Sequence, residues 1–149
     1  MSAPEPPDLT GIEHALGPAG ATAGHLMALT GRSEVAVRSA IDHLDTAIVP
    51  AGGSTQAAPL VAGYVAGLLM DDLVRGADTR IELLYFLGQI TEAAEGASDE
   101  PGVAGCRALL PRILAVAEQC ESDRNTDVRV EAADCAEAAI DVMDRLGID

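Results

Sequence analysis

The sequence predicts an all-α fold, specifically an α-solenoid of about three helix pairs and roughly seven helices, with no strands. Three observations carry this. Apolar residues recur at helical steps along most of the chain, and Gly- and Pro-rich stretches cut it into helix-length pieces. A short motif also returns three times, with an acidic residue just ahead of an arginine and an amphipathic run after it. It reads Glu34 to Arg38, Asp78 to Arg80, and Asp127 to Arg129, the arginines standing 42 and 49 positions apart. A period of that length fits repeats made of paired helices.

Taken in order, residues 1–7 are proline-rich and acidic, which predicts a disordered tail ahead of a single domain at 8–149. A short helix is expected from Asp8 through Leu16, capped by Asp8 or Thr10 and broken by Gly17-Pro-Ala-Gly20. A second short helix spans Ala21 to Leu29 and stops at Gly31. Ser33 then caps a helix over 34–48, whose buried face is Ala40, Ile41, Leu44 and Ile48. Pro50 to Thr55 is a loop. The next helix covers Gln56 to about Asp72, with Pro59 in its first turn, where a missing N–H costs least. Gly63 and Gly67 stand four apart on it, a spacing that permits close helix packing.

The central helix runs from Asp78 to about Glu95, with Leu83, Leu87, Ile90 and Ala94 on one face. Glu95 to Gly102 is a second loop. A helix follows from Val103 to Cys120, where the more deeply placed Pro111 predicts a kink or a late start. A turn near Ser122–Asn125 leads to the last helix, 126–146, which buries Ala132, Cys135, Ala139, Val142 and Leu146 and ends at Gly147. The proline-bearing helices are expected outside and the arginine-bearing ones inside.

Composition narrows function. The net charge of −15 on 149 residues opposes binding to nucleic acid, where clustered Lys and Arg must neutralise phosphate. It equally opposes an anionic membrane surface. A basic protein partner is compatible with it. Aromatics are 2% of the chain (Tyr64, Tyr85 and Phe86), so the core must be small and aliphatic. Cys106, Cys120 and Cys135 form an odd set without a CxxC pair, which predicts neither a disulfide framework nor a zinc site. Cys120 and Cys135 fit apolar helix positions. A reducing compartment, and a start with neither basic nor apolar signal-peptide regions, predict a cytoplasmic protein.

The arginine motif resembles the Asp/Arg signature of HEAT repeats. His14-Ala-Leu-Gly-Pro-Ala19, Leu26-Met-Ala-Leu29, Val37-Arg-Ser-Ala40 and Leu84-Tyr-Phe-Leu87 are further similar to HEAT-like proteins common in actinobacteria. The likeness covers about residues 9–95; beyond them it is that of a generic repeat. It departs at Pro50–Ala57, where the histidine and aromatic usual in that group are missing. The resemblance implies a paired-helix stack and protein binding, with Arg38, Arg80 and Arg129 bridging acidic residues such as Asp78 and Asp127 in a ladder between repeats.

No HExxH, nucleophile elbow or phosphate-binding glycine loop occurs, so the sequence implies no catalytic residue, no cofactor and no metal. Asp134, Glu137, Asp141 and Asp144 form one stripe on the last helix, a face for solvent or for a basic partner. Asp71 and Asp72 end a helix where the macrodipole disfavours negative charge, a modest pointer to function. The leading expectation is a non-catalytic module, in an immunity, toxin-neutralising or scaffold role, docking a basic partner through these six acids. The alternative is a small enzyme or small-molecule binder with a pocket drawn from His14, His43, Tyr64 and Tyr85. A third reading is a structural homodimer formed through an exposed outer helix.

Overall fold

The computed structural model describes residues 5–7, 13–14, 17–18, 22–48, 55–100 and 102–148. Among the described residues there are six α-helices: α1 (Thr22–Ala28), α2 (Glu34–His43), α3 (Ala58–Met70), α4 (Ala77–Ala93), α5 (Val103–Cys120) and α6 (Thr126–Leu146). Helix α2 continues without a break into a π-helical segment, Leu44–Ile48, so the expected span 34–48 is helical throughout. The Thr46 hydroxyl donates to the Asp42 carbonyl at 2.8 Å, competing with the backbone bond there and favouring the wider turn. That turn still buries Leu44, Ala47 and Ile48.

The seventh helix is not found where it was expected. Glu13–His14 (β1) and Gly17–Pro18 (β2) instead form a two-residue antiparallel ladder, Glu13 opposite Pro18. The remainder of 8–16 lies outside the described residues, as do residues 1–4 of the predicted tail. Residues 5–7 have no regular structure.

The helix ends follow local chemistry. Ser33 Oγ accepts the Ala36 N–H, and Asn125 Oδ1 accepts those of Asp127 and Val128. Gly147, at φ 70°, closes α6 while the Ile148 N–H reaches the Met143 carbonyl at 2.8 Å. The same closure ends α3, with Asp72 at φ 54° and the Leu73 N–H on the Leu68 carbonyl. Thr55 is buried and donates to the Ile48 carbonyl at 2.8 Å, which ties off the π segment across the loop.

Packing is in layers. Helix α3 lies along α5 and α4 along α6, while α3–α4 and α5–α6 also pack as pairs. Helix α1 packs on α2, and α2 touches α4 more sparingly. One apolar cluster unites all six helices; Leu83, Leu87, Ile90 and Ala94 are each fully buried, as the periodicity predicts. The three cysteines are buried in it and form no disulfide among the described residues.

Three expectations need correction. Helix α3 is not an outer helix, because Leu60 is its one exposed residue; its apolar composition all round suits a buried position. Helix α5 starts at Val103 and runs unbroken past Pro111, which faces solvent, where the lost backbone bond can be met by water. Gly63 and Gly67 do not serve backbone approach. Their open sides meet the Arg112 guanidinium, while the tight α3–α5 crossing is Gly105 against the Pro59 ring. A β-carbon on Gly105 would sit 2.7 Å from Pro59 Cβ and Cγ.

Candidate functional site

Arg80 is the most constrained polar group in the fold. Its side chain is 5% exposed, and its Nε and Nη2 grip Asp123 at 3.0 and 3.3 Å. Nη1 donates to the carbonyls of Val74 and Arg75 in the turn before α4. Burial pushes the Asp123 carboxyl up, but the Asn125 N–H and the Arg80 fork outweigh it and hold it below the usual carboxylate range. Arg129 Nη1 donates to the Asp123 carbonyl at 2.7 Å, and its Nη2 to Thr126 Oγ1. Asp123 is therefore the hub joining the α3–α4 and α5–α6 pairs.

The expected ladder is thus corrected in its members. Asp78 and Asp127 are exposed and form no ion pair among the described residues; Asp123 takes their place. Arg38 is exposed and forms no ion pair there either. The cause is phase. Arg80 and Arg129 stand four residues after their caps, Gly76 and Asn125, whereas Arg38 stands five after Ser33. One residue turns a helical side chain by about 100°, which carries Arg38 off the buried seam.

Two other polar ties were not anticipated. Arg107 closes the end of α4, donating to the carbonyls of Ala94 at 2.7 Å and Gly96 at 2.8 Å. Gln119 does the same for α3 through the Met70 carbonyl at 2.7 Å. Each satisfies helix-terminal carbonyls that would otherwise lack partners.

The predicted acids divide into two places. Asp134, Glu137, Asp141 and Asp144 are all exposed along α6, as their spacing implies. Asp71 and Asp72 lie apart, at the end of α3 beside the α5–α6 turn. Helix α3 ends at Met70, so Asp72 is exposed beyond it and serves as the left-handed closing residue. That local duty accounts for its position.

A larger acidic surface was missed. Asp42 and Asp45 from α2 and its π extension, Glu82 from α4, and Glu131 and Asp134 from α6 act on one another. Burial first, then Glu82 and Asp42, raise the Asp45 carboxyl against a lowering influence from Arg38. Burial first, then Asp134 and Glu82, raise Glu131. Glu82 continues along α4 at helical steps into Tyr85, which is 55% exposed, Gln89 and Glu92. Gln89 Oε1 is buried with no hydrogen-bond partner among the described residues. No group of three or more His, Cys, Asp and Glu there could hold a metal ion.

Of the four proposed pocket residues, the three with described side chains, His43, Tyr64 and Tyr85, do not converge. Tyr64 is buried in the core and Tyr85 points outward. His43 is half-buried, stacked on His25 with ring centroids 4.3 Å apart and hydrogen-bonded to Thr22 Oγ1 at 2.7 Å. His14 lies in β1, and its side chain is outside the described residues. A cleft of about 900 Å³ opens elsewhere, between the start of α2 and the start of α4, and none of the four lines it.

Against known proteins, the chain matches no family model, no curated protein and no solved structure. No helix among the described residues is long and apolar enough to cross a membrane.

Proposed function

We propose that the chain is a non-catalytic, HEAT-like binding module whose acidic face docks a basic protein segment. The carrying observation is the crowding of carboxylates across α2, α4 and α6. Asp45 and Glu131 are held above their ordinary range by burial and by one another's neighbours. A face that stores like-charge repulsion gains when a cation covers it. The solenoid reading draws support from the stacking of α3 on α5 and α4 on α6, and from the matched positions of Arg80 and Arg129.

The test compares placement of charge with its amount. A partner recovered by pull-down at low salt is titrated against the triple variant Glu82→Gln, Glu131→Gln, Asp134→Asn. Its control neutralises Asp99, Glu100 and Glu121, three exposed acids elsewhere. Affinity should fall at least tenfold in the first variant and hardly change in the second. Equal losses in the two would reduce the interaction to net charge and sink the proposal.

A further inference from the structure

We infer that the cleft between the starts of α2 and α4 is a binding site for a small organic oxyanion, a phosphate ester or carboxylate carried on an apolar body. The chain has nine basic residues, all arginine, against 24 acidic ones. Arg80 and Arg145 hold carboxylates, and Arg107 and Arg129 hold backbone carbonyls. Of the five arginines left without such a bond to a described residue, three, Arg32, Arg38 and Arg75, gather on the wall of one cleft. None of the three forms an ion pair or a side-chain hydrogen bond with any described residue.

Two carboxylates, Glu34 and Asp78, share the lining, so the formal balance among these five groups is one positive charge. The backbone adds to it. Both α2 and α4 begin here, and their dipoles direct positive potential into the cleft. Gly76 gives α4 no side-chain cap, so no side chain among the described residues bonds its first N–H groups. Guanidinium forks bind phosphate and carboxylate oxygens in pairs. The lining also includes Leu29, Val37 and Ala77, which favour an apolar body over a bare ion. The volume of about 900 Å³ is that of a small-molecule site.

The inference stands apart from the acidic face. Arg38 bears on both, since it lines the cleft and its charge lowers the Asp45 carboxyl.

The experiment is an amide NMR titration of the whole chain with phenyl phosphate, benzoate, inorganic phosphate and benzyl alcohol at constant ionic strength. Phenyl phosphate or benzoate should saturate with a dissociation constant below about 1 mM, shifting the amides of Ala77, Asp78 and Thr79. Whichever of the two binds more tightly identifies the head group. Inorganic phosphate should bind more weakly than the better of them, and the uncharged alcohol weakest. The double variant Arg38→Gln, Arg75→Gln should lose at least tenfold in affinity, while Arg112→Gln should match the parent. No saturation with either organic anion, or saturation that survives the double variant with its amide spectrum otherwise intact, would overturn the inference.

Discussion

Arg80 and Arg38 stand behind acidic residues at the start of similar helices, yet one is sealed and the other is free. Arg80 satisfies a carboxylate and two carbonyls at 5% exposure, whereas Arg38 stands on the wall of an open cleft. Their chemistry is identical. What separates them is a single residue of offset from the helix cap, which sends one guanidinium into the seam between helix pairs and leaves the other to solvent. A sequence motif made only of residue types cannot distinguish the two; a motif counted from the cap can.

Arg80→Met is the strongest way to break the contrast. It strands Asp123 and two backbone acceptors, and removing one partner of a buried pair costs about 3–5 kcal/mol. Chemical denaturation should show that loss, large beside the stability of a domain this size.

Asp123→Asn is next, at about 1.5–3 kcal/mol, since a charge-assisted fork becomes a neutral contact. It carries a pH signature. The folded carboxyl titrates below its unfolded value of about 3.9, so its contribution is present above that value and disappears as pH falls through the lower folded one. Denaturation curves at pH 7 should separate parent and variant, and those well below pH 3 should bring them together.

Glu131→Gln sharpens the comparison from the opposite side, because Glu131 has carboxylates where Asp123 has an arginine. Its folded proton affinity is raised, so ionisation opposes folding, and that cost grows as pH rises through the window above about 4.3. The variant should be more stable than the parent by about 0.3 kcal/mol at neutral pH. The gain should vanish in acid, and a destabilised variant at pH 7 would remove the crowding argument.

Arg38→Gln should change stability least, within about 0.5 kcal/mol by the same denaturation assay. A loss as large as that of Arg80→Met would mean that Arg38 belongs to the ladder after all.

Much of the fold was legible because it is written locally. Ser33, Asn125 and Gly147 mark helix ends through their own side chains or backbone freedom, and the buried faces of α2, α4 and α6 follow from apolar spacing. What was missed depends on residues distant in sequence. Asp123 matters because Arg80, 43 positions earlier, folds against it. The acidic face exists because α2, α4 and α6 pass near one another, whereas spacing within α6 revealed only the stripe from Asp134 to Asp144. Arg107 and Gln119 carry no local signal, because the carbonyls they close lie 13 and 49 positions away. Glu13 and His14, expected in the first helix, pair instead with Gly17 and Pro18, a ladder two residues long that no periodicity could announce.

The crossing of Gly105 over Pro59 bears on how the chain can change over generations. These positions are 46 apart, and the space between them holds one side chain only. Alanine at 105 requires glycine at 59, and any side chain at 59 requires glycine at 105. Gly105→Ala is therefore blocked while Pro59 stands, whereas Pro59→Gly brings no clash of its own. Among descendants of this sequence, a change at 105 should be found only where 59 has already changed.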